Sequence, residues 1–253
     1  MRRYLVTGSA SGIGRSVAEA LRADGHQVIG VDLKDAEIIA DLAAPEGRAA
    51  LVAEAERLSG GVLDGVVAAA GLSRPDMADV TLAVNYFGAV ATLEGLRPLL
   101  ARAERGRAVA LCSTAALLGG DEDVVAACLD GDEALAQDRL KANPWTVYMT
   151  SKLALGRWLR RTAVKPEWAG AGLLLNAVAP GVVKTPMTAP LLADENMLSM
   201  IAQANPMAVE GYAEPCEIAE SILHLLTLRG HYVVWQILYS DGGTDAIMRP
   251  DTL

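Results

Sequence analysis

Tyr148 and Lys152, in the run Tyr148-Met149-Thr150-Ser151-Lys152, are four residues apart in a stretch with helical patterning, so they share one helix face. A free phenol titrates near 10. A neighbouring ammonium favours phenolate, and bringing the value towards neutrality takes roughly 4 kcal/mol. A lysine with a second positive charge nearby can supply that. Such a tyrosine can give a proton to a carbonyl oxygen or take one from an alcohol. A plain surface pair has the same spacing. Ser113 ends an apolar run, where a hydroxyl can hold a substrate oxygen against Tyr148. Thr114 is its rival, and a strand-end cap is the plainer alternative. Asn85 lies in a long helical stretch, where Asn is a poor helix former. A solvated polar face accounts for it equally well.

A second group of residues fits a dinucleotide. The run Thr7-Gly8-Ser9-Ala10-Ser11-Gly12-Ile13-Gly14 joins a first apolar run to a first amphipathic one. Glycines at 8, 12 and 14 allow a tight turn. They also let backbone N–H groups approach a pyrophosphate at a helix N-terminus. The spacing is GxxxGxG, and an ordinary loop is the alternative. Asp32 ends the second apolar run, 18 residues after Gly14. A carboxylate there can accept from both hydroxyls of an adenosine ribose and repels a 2′-phosphate. Neither Ser11 nor Leu33 brings a cation, and Lys34 is the cation nearby. This favours NAD over NADP, whose oxidised ring would be the second positive charge beside Tyr148. A solvated strand end is the alternative for Asp32.

The elements that must position these residues alternate along the chain. Strands are expected at Tyr4–Thr7, Gln27–Asp32, Gly65–Ala70, Ala108–Ser113, Leu173–Val178 and Tyr232–Leu238, with a short one at Glu37–Ala40. Helices are expected at 12–24, 46–58 and 80–105, the last broken near Pro98. This order predicts an α/β fold of parallel βαβ units in a single domain, the sheet covered on both faces. Two segments stand outside the alternation. Residues 117–144 are acidic and helix-prone and read as an insertion. Residues 186–206, rich in Met, Leu and Pro, read as a mobile substrate lid.

Composition excludes other classes. The 253 residues are 52% hydrophobic and 21% charged, enough for a full core, and the formal net charge of −9 argues against nucleic-acid binding. Three cysteines without a CxxC point to a reducing compartment, the cytoplasm. The histidines are scattered, so no metal is expected. The apolar run at the N-terminus ends at Val6, too short for a signal peptide, and no membrane span is expected.

Taken together, Thr7-Gly8-x-x-x-Gly12-Ile13-Gly14, Asp32, Asn85, Ser113, Tyr148-x-x-x-Lys152 and Pro180-Gly181 occur in the order of the short-chain dehydrogenase/reductase family, which the chain resembles over its whole length. The resemblance implies one Rossmann domain with a seven-stranded parallel sheet, order 3-2-1-4-5-6-7, and nicotinamide-dependent redox at a carbonyl or secondary alcohol. It implies Tyr148 as general acid/base and Lys152 on the nicotinamide ribose. Ser113 would position the substrate oxygen, and Asn85 would hold a water linking Lys152 to solvent. The glycine turn, with Ser11 and Ile13, would face the pyrophosphate. Asp41 and Leu42 would contact the adenine, and Ala70 and Gly71 would lie beside the adenosine ribose. Thr185, after Pro180, Gly181 and Val183, would meet the carboxamide.

A narrower likeness, in His26-Gln27-Val28, Ala40-Asp41-Leu42, Val84-Asn85-Tyr86-Phe87-Gly88 and the tail Asp241–Pro250, is to the bacterial 3α-hydroxysteroid dehydrogenase/carbonyl reductase subgroup. That subgroup also has a long insertion between its Ser and Tyr and implies a cytosolic NAD(H) enzyme. Two features depart from the family. Its Asn-Asn-Ala-Gly is Ala68-Ala69-Ala70-Gly71 here, and Cys112 precedes Ser113 where a Ser often stands. Cys112 reads as a small buried residue rather than a nucleophile.

The expected function is NAD-dependent oxidation or reduction of a moderately apolar small molecule, a hydroxysteroid or an aromatic or terpenoid ketone. Two alternatives are a dehydrogenase of a chiral amino alcohol or small diol, with Asp121 or Asp123 pairing the ammonium, and a non-catalytic NAD sensor. A homodimer or homotetramer is expected. In the family the Asn85 and Tyr148 helices commonly form the interface, and the insertion either covers that surface or changes nothing.

Overall fold

A computed structural model describes residues 1–252. In chain order its elements are β1 (Arg3–Thr7), α1 (Gly12–Ala23), β2 (Gln27–Asp32), β3 (Ile38–Ile39), α2 (Pro45–Ser59), β4 (Gly65–Ala68), α3 (Ala78–Leu82), α4 (Ala89–Leu100), β5 (Arg107–Leu111), α5 (Glu122–Asp130), α6 (Glu133–Leu140), α7 (Val147–Thr162), β6 (Leu174–Pro180), α8 (Ala189–Leu192), α9 (Glu195–Ala204), α10 (Pro215–Thr227), β7 (Ile237–Ser240) and α11 (Thr244–Met248). The strands form one parallel sheet in the order β3-β2-β1-β4-β5-β6-β7, as the family resemblance implies.

Side chains alternate across the pleat, and both faces are apolar. Leu5, Ile29, Val66 and Leu175 point to one side, where residues of α2, α4 and α7 cover them. Tyr4, Val6, Val28, Val67, Val109 and Val178 point to the other, under α1 and α10. Each such fully buried Val or Leu contributes roughly 1.5–3 kcal/mol. The chain turns outward from β1 to β2 and β3, then returns to β4 on the other side of β1. That reversal opens a crevice at the strand C-termini between β1 and β4, where such sheets bind ligands.

The acidic segment forms α5 and α6. Asp121 caps α5 by accepting from the Asp123 and Val124 amides, and Asp132 caps α6 by accepting from Leu135. Val124, Val125, Ala127, Cys128, Ala136 and Leu140 join the main core, so this segment is packed onto the domain.

Two expected elements differ. The long helix ends at Leu100, two residues after Pro98, and does not run on to 105. Its irregularity is a π-helical turn, Ala83–Gly88, around Asn85. The last strand is shorter and later than 232–238. The backbone before it is held by side chains: Arg107 donates to the carbonyls of Leu228 and Gly230, and Asn176 donates to that of Val233. Asn176 Oδ1 also accepts from the Gln236 amide, and Trp235 has a φ of 56°. Regular pairing with β6 starts only at Ile237. Among the described residues no helix is long and apolar enough to cross a membrane, and no group of three potential metal-ligating side chains stands together.

Candidate active site

A cleft of about 800 Å³ opens at the C-terminal ends of the strands. It brings together Gly8, Ser11, Gly12, Ile13, Gly14, Asp32, Asp41, Leu42, Ala70, Gly71, Ser113, Tyr148, Lys152, Pro180, Val183 and Thr185, each singled out above from the sequence. Asn85 is not in its wall.

The floor is the turn between β1 and α1. Gly8 has a φ of 70° and Gly12 one of 54°. A Cβ on Gly14 would lie 2.3 Å from the Gly8 oxygen, and one on Gly8 would lie 2.9 Å from Ala70 Cα. Ser11 stands at the N-cap of α1 but makes no side-chain cap hydrogen bond, so the first N–H groups of the helix remain available to an anion. This cradle has no room for side chains and carries free backbone donors, which fits a pyrophosphate. Gly14→Ala should therefore cost about 1–3 kcal/mol of stability in a urea melt and weaken NADH binding by about tenfold or more. Unchanged values for both would contradict the cradle.

Thr7 supports the turn at Ala68-Ala69-Ala70-Gly71, where the family has asparagines. Its Oγ1 accepts from the amides of Ala69 and Ala70 at 3.1 and 3.0 Å, which ties β1 to the turn after β4 through backbone groups. Asp32 is fixed at the end of β2, accepting from the Ala10 amide at 3.0 Å and the Leu33 amide at 2.7 Å. Lys34 is exposed and does not line the cleft.

At the other end, β5 delivers Ser113 and α7 delivers Tyr148 and Lys152. Ser113 lies on the cleft, its Oγ accepting from the Ala115 amide, whereas the Thr114 hydroxyl is turned away to donate to the Pro180 carbonyl at 3.2 Å. That bond occupies the Thr114 hydroxyl, and of the two residues only Ser113 lines the cleft. Lys152 is buried, donates to the Leu111 carbonyl at 2.8 Å and has its Nζ 5.8 Å from the centre of the Tyr148 ring. Burial lowers its pKa to about 8. Burial raises that of Tyr148 above the ordinary value, with the Ser113 hydroxyl beside it opposing the rise. Burial of the phenol therefore adds to what the second positive charge, expected beside Lys152 from the sequence, has to supply. Cys112 is buried, and burial pushes its thiol up to about 11, as suits a packing residue.

Asn85 stands behind the wall. Its Oδ1 accepts from the Leu72 amide at 2.9 Å, and its Nδ2 donates to the Leu72 carbonyl at 2.9 Å and to Ser151 Oγ at 3.1 Å. Both Nδ2 hydrogens and one Oδ1 lone pair join the π-helical turn to α7 and to the loop after β4. A Cβ on Gly71 would lie 3.0 Å from Asn85 Oδ1 and 3.6 Å from Lys152 Nζ, so these three are neighbours.

The sequence reading missed part of the cleft wall: Leu72, Ser73, Arg74, Met77, Val80 and Val84. The loop among them carries no motif. Its position after the C-terminal end of β4 was the available signal. Arg74 is already paired with Asp76. Asp121 and Asp123 do not reach the cleft, and the Asp121 carboxylate is used as a helix cap. In the 186–206 segment, Pro186, Met187, Thr188 and Pro190 line the cleft. Neither α8 nor α9 buries a residue, so its apolar side chains are not core.

Residues 2–125 match the family model described as short chain dehydrogenase, and residues 134–245 match the one described as Enoyl-(Acyl carrier protein) reductase. The chain is 34% identical to the 3-alpha-hydroxysteroid dehydrogenase/carbonyl reductase of Comamonas testosteroni, with 99% of each covered. It superposes with a TM-score of 0.91, at 39% identity, on the 3-alpha-hydroxysteroid dehydrogenase of Pseudomonas sp. B-0831 complexed with NADH, covering 99% of this chain and 100% of that one. A Beutenbergia cavernae structure with NADP bound at low occupancy gives 0.77 at 26% identity, with 97% of each covered.

Proposed function

This chain belongs to the short-chain dehydrogenase/reductase family of oxidoreductases, and we propose that it interconverts a secondary alcohol and a ketone with NAD(H) on a moderately apolar small molecule, a hydroxysteroid or an aromatic or terpenoid carbonyl compound. One observation carries the reading. The uncapped start of α1 and Asp32 share a single cleft with the Ser113 hydroxyl, the Tyr148 phenol and the Lys152 ammonium.

In this reading the chain's own groups divide the work. Ser113 holds the substrate oxygen, and Tyr148 gives it a proton during reduction or takes one during oxidation. Lys152, steadied by the Leu111 carbonyl, holds the nicotinamide ribose and keeps a positive charge beside the phenol. Asn85 acts from behind, fixing Leu72 and Ser151 and so the spacing between the loop and α7. Thr185, which packs 3.3 Å from where a Gly12 Cβ would be, would meet the carboxamide of a bound nicotinamide. Bound nicotinamide would supply the hydride donor or acceptor and, oxidised, the second positive charge that Lys152 alone does not provide.

Asp32 supports NAD as the cofactor, since its anchored carboxylate lines the cleft and the nearby Lys34 does not. Asp32→Ala should raise kcat/KM for NADP by about tenfold relative to NAD, a change of about 1.4 kcal/mol. An unaltered ratio would place the selectivity elsewhere. Residues 186–206 are read as a substrate lid. Their apolar side chains and those of Met77, Val80 and Val84 suit an apolar substrate, Met adapting to irregular shapes. The amino-alcohol alternative lacks its ammonium partner, and the complete Ser113, Tyr148 and Lys152 set favours turnover over sensing.

The test is NADH or NADPH formation from a panel of secondary alcohols. Turnover with NAD, and a higher kcat/KM for 3-hydroxysteroids than for amino alcohols, is expected. No turnover with any alcohol, or a preference for amino alcohols, would refute the assignment.

A further inference from the structure

Arg48, near the start of α2, makes contacts that the chemistry described above does not use. Its side chain is 11% exposed. Nε donates to the Leu42 carbonyl at 2.8 Å, and one terminal nitrogen donates to the Ala43 carbonyl at 3.0 Å and the Ala83 carbonyl at 3.4 Å. The same nitrogen and its twin form a two-pronged pair with Glu133 at 2.8 and 2.7 Å. The guanidinium carbon lies 5.8 Å from the centre of the Phe87 ring. One planar cation thus joins three regions distant in sequence: the 41–44 turn, the π-helical turn and the first residue of α6.

The 41–44 turn has little support of its own. Asp41 Oδ1 accepts from the Ala43 amide and the Asp41 carbonyl accepts from the Ala44 amide, but the Leu42 and Ala43 carbonyls would otherwise point at α2 unpaired. Its room is also fixed. A Cβ on Gly47 would lie 2.0 Å from the Asp41 oxygen, and one on Gly88 would lie 3.0 Å from Leu42 Cβ. Asp41, Leu42 and Ala43 form one wall of the cleft. An arginine suits the position because its rigid fork serves a carboxylate and the carbonyls at once, which an ammonium cannot.

We infer that Arg48 and Glu133 form a brace by which the 117–144 segment holds the 41–44 turn in the shape that receives the adenine half of the cofactor. The inference rests on the dinucleotide reading above. Arg48 and Glu133 are positioning residues, and they give the acidic segment a task at the cofactor end of the cleft. The brace is built from residues 85 apart in sequence and is independent of the segment's effect on any subunit interface.

The experiment uses the full chain with Arg48→Lys and Glu133→Gln. Dissociation constants are measured for NADH and for reduced nicotinamide mononucleotide, which lacks the adenosine half. Amide hydrogen exchange is followed at Ala43 and Ala44. We expect Arg48→Lys to weaken NADH by about tenfold and Glu133→Gln by about threefold, with the mononucleotide changed by less than about twofold. Exchange at the two amides should quicken in both variants. Equal weakening of NADH and the mononucleotide, no weakening of either, or unchanged exchange in the turn would overturn the brace. Glu133→Gln is nearly isosteric and decides the matter if Arg48→Lys folds poorly. Failure of the wild type to bind either NADH or NADPH would refute the dinucleotide reading instead, and exchange would still report whether Arg48 and Glu133 hold the turn.

Discussion

Tyr148→Phe should lower kcat/KM for both directions by about a thousandfold or more, with NADH affinity nearly unchanged. The substitution removes one hydroxyl and leaves the ring packed in α7 beside Lys152. No other group in the cleft replaces it. Ser113 is a neutral hydroxyl, the Cys112 thiol is pushed up to about 11 by burial, and Lys152 is directed to the Leu111 carbonyl. A fall in rate without a fall in NADH affinity separates loss of proton transfer from loss of fold. Steady-state kinetics with a secondary alcohol, beside a fluorescence titration of NADH, measures both. Retention of a tenth or more of the activity would remove Tyr148 from the chemistry.

Lys152→Met should lower the rate of alcohol oxidation by about a hundredfold near neutral pH and move the activity profile to higher pH. Burial already raises the Tyr148 pKa. Removing the one cation beside the phenol raises it further, so phenolate forms later as pH increases. The same variant has a signature in stability. Lys152 has a folded pKa of about 8, below its ordinary 10.5, so between those values the unfolded chain binds more protons. Unfolding free energy therefore gains with pH across that window in the wild type, a gain that Lys152→Met should lose. Urea titrations at a series of pH values read this directly. An identical pH profile in the two proteins would show that Lys152 does not act through Tyr148.

The sheet and most of the cleft were legible because their signals are local. Apolar runs such as Val28–Val31 and Val66–Ala68 are buried on both faces and can only be interior strands. Gly8, Gly12 and Gly14 mark a turn that excludes side chains, and the four-residue step from Tyr148 to Lys152 is a helix face. What the sequence reading missed depends on long-range partners. The chain before β7 reads as a strand, but there the Asn176 side chain takes the Val233 carbonyl and the Gln236 amide in place of backbone partners. Proline at 98 cannot bond the Glu94 carbonyl and the helix ends two residues on, whereas the π-helical turn is set where Asn85 meets Leu72 and Ser151 across the fold. Thr114 could be separated from Ser113 only by its bond to the Pro180 carbonyl. The burial that raises the Tyr148 pKa was not legible, because charge is visible in a sequence and desolvation is not.

The pH dependence of kcat/KM for oxidation of a secondary alcohol by NAD, compared between wild type and Tyr148→Phe, bears most directly on the proton-transfer role of the phenol. The wild type should show a rate that rises as the phenol ionises, and the residual rate of Tyr148→Phe should lack that rise. The same ionisation persisting in Tyr148→Phe would mean that another group moves the proton.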